Sequence, residues 1–249
     1  MSFELQDHCV KISRCYWKIG EETGVWPKSE SEQSQKPLSA IIRRRLTSLG
    51  QKVVEGLYRS SSPETLDQFP WVVSCRHGDM ERVVNLLSSL ARKEMLSPTD
   101  FSLSVHNAII GLFSIAVKNR KNHVALSGAA LSFEMGLVEV FALQKQKKET
   151  VGYIYYDRSL PHPYKGQIGS EISEIYFVLL LSGGDKDKKS MEFPSKSIYL
   201  TYERNKLYSS KELNKYSSNI SCLLGFLKAD AKRCKISVPG GNFLLERVH

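Results

Sequence analysis

Long apolar segments are missing from this chain. The longest apolar run, residues 175–181, is far shorter than the ~18 residues that a bilayer-crossing helix requires, so we expect no membrane-spanning helix. Residues 1–7 carry acidic and polar side chains, whereas a secretory signal needs a basic start followed by an apolar core. We therefore expect a cytoplasmic protein.

Several motifs of catalysis and ligand binding are also missing. Neither G-x-x-x-x-G-K-[ST] nor G-x-G-x-x-G occurs, which argues against a phosphate-binding loop for a nucleotide. The chain has no G-x-S-x-G elbow of a serine hydrolase and no H-E-x-x-H of a metalloprotease. The five cysteines are odd in number and form no C-x-x-C pair, so we expect reduced thiols rather than a disulfide framework. We predict no bound metal and no cofactor.

The composition is that of a soluble globular protein with a basic surface. Of 249 residues, 41% are hydrophobic and 24% charged, which excludes a disordered or collagen-like chain. The 35 Lys and Arg residues exceed the 26 Asp and Glu residues, and the resulting charge of +9 favours an anionic partner: nucleic acid, an anionic membrane or an acidic protein. Basic residues cluster within 43–45, 145–148 and 186–189. No RNA- or DNA-binding motif accompanies them, so a basic nucleic-acid-binding module is the weakest alternative.

The spacing of apolar residues predicts alternating strands and helices. Strands are expected within residues 3–17, 70–74, 123–126, 153–156, 175–181, 198–202, 235–238 and 243–247. Helices are expected at 39–53, with Ser39 as its cap, and at 79–90, 105–117, 133–143 and 213–226; loops are expected at 20–24 and 30–36. This alternation indicates one α/β domain spanning residues 1–249, with helices on the faces of the sheet.

One cysteine ends a predicted strand and has histidines nearby in the sequence. Cys75 is followed by His77, and His106 lies further along, so a Cys–His pair that activates a thiolate is one interpretation. Core packing of Cys75 is the interpretation we favour, because free cysteines are usually buried. His106 and Asn107 stand near a helix start, where we predict that they bond backbone groups rather than act in catalysis.

Motifs in the middle of the chain carry a family resemblance. They are SCRHGD at 74–79, LSPTDFSLSVHNA at 96–108 and GLFSI at 111–115, with further matches at 43–46, 132–133, 136–139, 157 and 160–161. Together they resemble the small β-ketoacyl-synthase-like family found in aryl polyene gene clusters. The resemblance implies a thiolase-like fold, a mixed sheet with helices on its faces, similar to the N-terminal half of a ketosynthase.

The resemblance also implies that the catalytic residue is missing. In complete ketosynthases a cysteine starts the helix that follows a short strand, where backbone N–H groups favour the thiolate and the oxyanion. Here that position falls on or near Ala130, and residues 128–132 contain no cysteine. No second-half pattern supplies the decarboxylation histidines. The chain therefore resembles a chain-length factor, a silent subunit that pairs with an active ketosynthase and acts with an acyl carrier protein.

Particular residues follow from this resemblance as hypotheses. Val124, Ala125 and Leu126 would form the strand at the interface with the ketosynthase subunit, and Phe113 would belong to the same buried interface. Phe133 and Met135 would line or border the acyl tunnel, with ordinary core packing as the alternative for each aromatic residue. The basic surface would attract an acidic acyl carrier protein. The competing hypothesis is a small condensing or acyl-transfer enzyme that uses Cys75 or a site shared with the partner.

Overall fold

A computed structural model describes residues 9–27, 38–60, 65–147, 149–166, 174–182, 196–204, 216–229, 231–238 and 241–247. Within these residues the strands are β1 (Cys9–Ile19), β2 (Glu22–Trp26), β3 (Trp71–Cys75), β4 (His123–Leu126), β5 (Val151–Asp157), β6 (Ile175–Ser182), β7 (Lys196–Arg204), β8 (Arg233–Val238) and β9 (Gly241–Arg247). The helices are α1 (Ala40–Arg45), α2 (Ser48–Ser60), α3 (Met80–Ala91), α4 (Pro98–Ser102), α5 (Ala108–Val117), α6 (Ser132–Lys147) and α7 (Tyr216–Lys228). A 3-10 turn at Ala129–Leu131 precedes α6.

The strands of the described residues join in one mixed sheet. Its order is β4-β3-β5-β6-β1-β7-β9-β8, and β2 pairs with the second half of β1. β3 runs parallel to both β4 and β5, whereas the other pairs are antiparallel. The prediction of an α/β fold with a mixed sheet is confirmed. Its parallel part, made from β3, β4 and β5, is joined by helical crossovers, as parallel strands require.

Helices cover both faces of the sheet and create two apolar cores. The first core joins α6 and α7 to the face that carries Val72, Tyr153, Phe177 and Leu179. The second core joins α1, α2 and α5 to the opposite face. Every residue of β3, β5 and β6 is buried, which is the pattern of strands covered on both sides. The resulting three layers hold the β4–α6 connection at one edge of the sheet.

Two regions have a secondary structure that differs from the prediction. The helix expected at 39–53 is two helices, because the chain turns to an extended conformation at Leu46 and the Thr47 hydroxyl accepts a hydrogen bond from Gly50 N at 3.4 Å, which starts α2. The predicted cap is confirmed, since Ser39 Oγ accepts from Ile42 N. The prediction of a loop at 20–24 is wrong from Glu22 onward, where β2 begins. Gly20, with φ +57, turns the chain into β2.

In the crossover from β3 to β4, the helices α3 and α4 have no buried residues. The prediction of a helix opened by Asp79 is confirmed by α3, but none of the α3 residues is buried, and none of the short α4 residues is. The helix expected at 105–117 begins only at Ala108, after α4 and a bend. Apolar side chains at helical spacing therefore face outward along this crossover, although such spacing is typical of a face packed on the core.

Candidate functional site

The connection between β4 and α6 is a tight turn with a strained residue. Ala129 has φ +49, an uncommon value for any residue except glycine, and it stands between the strand and the helix. Ser132 closes the turn from the helix side: its Oγ accepts a hydrogen bond from Gly128 N at 3.0 Å and donates to Ala129 O at 2.7 Å. Backbone strain of this kind costs about 1–3 kcal/mol and is concentrated at functional sites.

This turn presents no nucleophile. Ala130, the residue aligned by the resemblance with a ketosynthase cysteine, is half-buried immediately after the strained Ala129. The hydroxyl of Ser132 is the sole nucleophilic group within residues 128–132, but it is buried and engaged in the two turn hydrogen bonds. A covalent acyl intermediate needs an activated thiol or hydroxyl at the reacting position. We call the turn at residues 128–132 the elbow; it bears Ala130 at the position that the resemblance aligns with the ketosynthase cysteine.

The two residues predicted at the acyl tunnel lie in different environments. Phe133 is buried and forms edge contacts with the rings of Tyr155 and Phe177, with centroids 5.4 Å apart in both pairs. Met135 is half-buried and packs over the turn, where a Cβ built on Gly128 would lie 3.0 Å from Met135 Cγ. Phe133 thus packs into this chain's own core, while Met135 borders the turn from outside it.

The first turn of α6 is held close to the sheet by buried polar groups. Gly136 faces β3 and β5, and a Cβ there would lie 2.6 Å from Ser74 Oγ. Tyr153 donates to the carbonyl oxygen of Phe133 at 2.7 Å, and its hydroxyl is 2.8 Å from Ser74 Oγ. Glu134 is fully buried, and Asn219 Nδ2 of α7 donates to its Oε1 at 2.6 Å. These contacts fix the helix that follows the elbow.

The burial of Glu134 changes its titration. Loss of solvation raises the pKa of its carboxyl above the ordinary value, and the hydrogen bond from Asn219 opposes that rise only in part. Glu134 and its link to Asn219 were missed by the sequence analysis. A glutamate within an otherwise apolar stretch of helix was the available signal.

β4 is the edge strand beside this turn. It pairs with β3, with Val72 opposite Val124 and Ser74 opposite Leu126, and among the described residues it has no strand on its other side. Val124 and Leu126 are partly buried against the α6 core, whereas Ala125 is exposed. The unpaired backbone edge of such a strand is available for pairing with another chain.

The crossover that leads to β4 carries an exposed apolar surface. It consists of residues on α3, on α4 and in the segments beside α4, at Leu87, Leu90, Met95, Leu96, Phe101 and Val105. The exposed fractions reach 59% for Leu90, 98% for Met95 and 65% for Phe101. Arg82 of α3 forms an ion pair with Asp100 of α4, which joins the two helices that carry these side chains. Large exposed apolar patches mark interaction sites.

Sequence analysis missed this surface because an apolar helical stripe looks the same whether its cover comes from the same chain or from another. The available signal was the pair Met95 and Leu96, two apolar side chains in the irregular segment that follows α3.

Phe113 lies inside the chain. It has no exposed surface, and its ring makes edge contacts with Tyr58 and Trp71 at centroid distances of 5.9 and 6.2 Å. On the opposite side of the same helix, Ile115 is 67% exposed. Phe113 therefore packs α5 against the core, as the core-packing alternative describes, and Ile115 lies on the outer face of α5.

The structure brings Cys75 and His106 together. Their Sγ and Nδ1 atoms are 2.7 Å apart, and Cys75 is buried at the end of β3. Burial raises the pKa of the Cys75 thiol to about 12, and burial lowers the pKa of His106. Both shifts favour the neutral forms near pH 7, so burial disfavours the thiolate that nucleophilic catalysis requires.

The expectation that His106 and Asn107 bond backbone groups is wrong in its details. His106 uses its side chain on Cys75, and Asn107, at the cap position of α5, makes no capping hydrogen bond with its side chain. His77 is half-buried, and both burial and the neighbouring Arg76 and His106 lower its pKa.

Asp157 ends β5 close to this region and carries an unusual carboxyl. It is buried, and desolvation raises its pKa to about 6, although Arg158 N donates to Oδ1 at 3.0 Å. Tyr155 donates to Oδ2 at 3.3 Å. Asp157 thus changes charge within the range of physiological pH.

The described basic residues lie at the surface. Arg43, Arg44 and Arg45 are all exposed on α1, and Lys145 and Lys147 are exposed at the end of α6. The cluster within 186–189 lies outside the described residues. Over the described part of the chain, no three His, Cys, Asp or Glu side chains come together as metal ligands. None of the helices described combines the length and the apolar character that crossing a membrane requires.

The architecture and the elbow between β4 and α6 define a thiolase-like protein of the ketosynthase type. The family model described as beta-ketoacyl synthase, N-terminal domain, matches residues 17–243. The chain belongs to this family. None of the curated proteins compared with the chain matches it significantly.

Solved structures share the fold. A chain in the complex of a ketosynthase (ApeO) with its chain length factor (ApeC) from Xenorhabdus doucetiae superposes with a TM-score of 0.70 and 20% identity, covering 97% of this chain and 100% of that one. A beta-ketoacyl synthase from Burkholderia phymatum STM815 gives 0.58 and 9%, covering 86% and 71%. The ketosynthase complex AntDE:AntF, with a type II polyketide acyl-carrier protein, gives 0.55 and 12%, covering 79% and 64%. At these identities the likeness is one of fold.

Proposed function

We propose that this chain is a cytoplasmic, catalytically silent subunit of the chain-length-factor kind. It pairs with an active β-ketoacyl-ACP synthase and shapes the acyl tunnel in aryl polyene, that is polyunsaturated fatty-acyl, biosynthesis. The observation that carries the proposal is the elbow between β4 and α6, which keeps a strained Ala129 but bears Ala130 and no thiol. The likeness to a chain of a ketosynthase–chain length factor complex supports the pairing.

The interface with the ketosynthase is proposed to lie at β4 and along the exposed apolar surface. Val124, Ala125 and Leu126 offer an unpaired strand edge. The crossover helices on the way to β4 offer apolar side chains that this chain leaves in water. Burying such side chains yields roughly 25 cal/mol per Å² of apolar surface, so a partner that covers them is favoured. Phe113 contributes by supporting α5 from inside.

Met135 is proposed to border the acyl tunnel more directly than Phe133. Met135 is half-buried beside the elbow, and its flexible thioether side chain can adapt to an acyl chain. Phe133 acts behind it, because its ring is enclosed by aromatic side chains of this chain. A Met135→Trp variant is expected to shorten the products of the complex. Ala142→Trp, an exposed position on the same helix, is the control that leaves product length unchanged.

The acyl carrier protein is proposed to approach along the basic surface. Arg43, Arg44 and Arg45 are exposed and adjacent on α1, which gives a local positive field for an acidic partner. Such steering weakens as salt is added, because the Debye length shortens. Association of the carrier protein with the complex that does not change with ionic strength would contradict this part of the proposal.

The alternative is a small condensing or acyl-transfer enzyme that uses Cys75. The 2.7 Å contact between Cys75 Sγ and His106 Nδ1 is the observation that favours it. The burial of the thiol and its pKa of about 12 count against it, since burial disfavours the thiolate and shields the sulfur from an acyl donor.

The deciding experiment is co-expression of this chain with the ketosynthase encoded beside it. The purified complex is weighed by native mass spectrometry, and malonyl-dependent elongation is measured for the complex and for each subunit alone. We expect a stable heterodimer whose activity is abolished by mutating the cysteine of the ketosynthase and is retained in the Cys75→Ala variant of this chain. Elongation by this chain alone would contradict the proposal.

A further inference from the structure

Two free cysteines meet between α7 and β8. The Sγ atoms of Cys222 and Cys234 are 3.0 Å apart, and both thiols are unbridged. A disulfide has an S–S length of ~2.05 Å, so bond formation needs a movement of only about 1 Å. The other described cysteines, Cys15 and Cys75, are buried and have no second thiol beside them in the described part of the chain.

The two thiols differ in their access to solvent. Cys222 is half-buried, and its Sγ lies 3.5 Å from the carbonyl oxygen of Lys235. Cys234 is 3% exposed, and burial together with the neighbouring Cys222 sulfur raises the pKa of its thiol. A small oxidant in solution therefore reaches Cys222 first, and Cys234 is placed behind it as the second thiol.

The helix and strand that carry the thiols are held in register by Asn219. Its Nδ2 donates to Ser237 O at 3.0 Å, and Ser237 N donates to its Oδ1 at 3.3 Å. Asn219 lies one helical turn before Cys222, and Ser237 lies on the same strand as Cys234. These two hydrogen bonds hold the backbones of α7 and β8 together beside the two sulfur atoms.

We propose that Cys222 and Cys234 form a reversible disulfide by exchange with a low-molecular-weight disulfide such as oxidised glutathione. The Cys222 thiol loses its proton to solvent and attacks one glutathione sulfur, which forms a mixed disulfide and releases one glutathione thiolate that takes up a proton. Cys234 then loses its proton to solvent and attacks the Cys222 sulfur, which releases the second glutathione. Two protein thiols are oxidised and one glutathione disulfide is reduced to two thiols.

This disulfide ties α7 to β8, an edge strand of the sheet. Because Asn219 of α7 also bonds Glu134 in the first turn of α6, the cross-link stiffens a connection that extends to the elbow. In a reducing compartment such a bond forms only under oxidising conditions and is transient. The inference does not depend on the partner or on the proposed function, because the folded chain alone carries both thiols.

The test is oxidation of the folded, full-length chain by oxidised glutathione, followed by intact mass and peptide mapping. A Cys9→Ser background removes the one cysteine whose side chain is not described. We expect a mass loss of two hydrogen atoms, a cross-linked peptide pair containing Cys222 and Cys234, and a rise in melting temperature that dithiothreitol reverses.

Two variants separate the roles of the thiols. Cys234→Ser is expected to accumulate one glutathione adduct on Cys222, and Cys222→Ser is expected to form neither adduct nor cross-link. Differential alkylation of the wild-type chain gives the same assignment if a variant does not fold. Retention of both thiols after prolonged oxidation of the folded chain, or a cross-link through any other pair, would overturn the inference.

Discussion

Cys75 Sγ and His106 Nδ1 lie 2.7 Å apart inside the chain. The distance is that of a catalytic dyad, but both side chains are neutral, as in an ordinary buried contact. Burial keeps the thiol neutral, with a pKa of about 12, and keeps the imidazole neutral by lowering its pKa. Cys75 is 1% exposed, so the described part of the chain closes it off from substrate. The pair joins the end of β3 to the segment that enters α5, which is a structural task.

Replacing Cys75 tests this assignment. Cys75→Ala removes the thiol that contacts His106 and leaves a small void, so we expect a loss of about 1–2 kcal/mol in the free energy of unfolding, measured by urea denaturation. Elongation by the complex with the ketosynthase is expected to remain at the wild-type rate. Cys15→Ala is the matched control, because it also removes a buried thiol but one without a side-chain partner. Loss of elongation in a folded Cys75→Ala complex would make Cys75 a catalytic residue.

Two helical glycines give a sharper test of packing beside the elbow. Gly136→Ala places a Cβ 2.6 Å from Ser74 Oγ and against the Tyr153 ring, so α6 must move away from the sheet. We expect a loss of about 1–3 kcal/mol in the free energy of unfolding, measured by urea denaturation. Gly111→Ala on α5 is the control, because no atom lies within 4 Å of its Cβ.

The control is expected to stabilise the chain by about 0.4–1 kcal/mol, since alanine lowers the entropy of the unfolded chain and favours helix. Equal effects of the two substitutions would contradict the close approach of α6 to β3 and β5.

The elements that were predicted correctly are those whose apolar residues pack against other elements of the same chain. The apolar runs that became β3, β5 and β6, and the periodic stripe of α6, predicted their structures because their apolar residues end in one of the two cores. The elbow at Ala130 was located only through the family resemblance, since a Gly-Ala-Ala sequence by itself has no distinctive chemistry.

Contacts between distant segments were not readable in the sequence. The apolar spacing of α3 predicted a helix correctly. That spacing did not show that α3 has no buried residues in this chain. The Cys222–Cys234 and Glu134–Asn219 contacts each join separate elements whose approach is set by the whole sheet. Periodicity reports which side of a helix is apolar, but it does not report which chain covers that side.

Asp157 makes stability depend on pH. Its pKa is about 6 in the fold and 3.8 as a free side chain, so the folded chain holds the proton more tightly than the unfolded chain. The free energy of unfolding therefore falls as pH rises from about 4 to about 6, by roughly 3 kcal/mol for this group, and is level above that range. Asp157→Asn removes this titration while keeping an oxygen for Arg158 N.

We expect the stability difference between Asp157→Asn and wild type to shift in favour of the variant between pH 4 and pH 7, measured by urea unfolding at each pH. Glu139→Gln is the control for loss of a carboxyl, because Glu139 lies on α6 and is partly exposed. A difference between Asp157→Asn and wild type that stays constant with pH would mean that Asp157 titrates normally.

Substitutions on the exposed apolar surface give the strongest test of pairing with a ketosynthase. Leu87 and Leu90 lie one turn apart on α3 and are 45% and 59% exposed, so replacing both with Asp leaves the fold of this chain intact. In the heterodimer the two carboxylates would be buried without partners, and each buried, unpaired charge costs several kcal/mol. We expect at least a hundredfold weaker association, measured by analytical ultracentrifugation or native mass spectrometry of the purified subunits.

Tyr199→Asp is the matched control, because Tyr199 is 39% exposed on β7, which four other strands separate from β4. This variant is expected to bind the ketosynthase as wild type does. The circular dichroism spectrum of each variant alone separates loss of association from loss of folding. Unchanged association of a folded Leu87→Asp, Leu90→Asp chain, with the Tyr199 variant impaired, would place the ketosynthase on the opposite end of the sheet. The edge of β4 would then have to be explained by another contact.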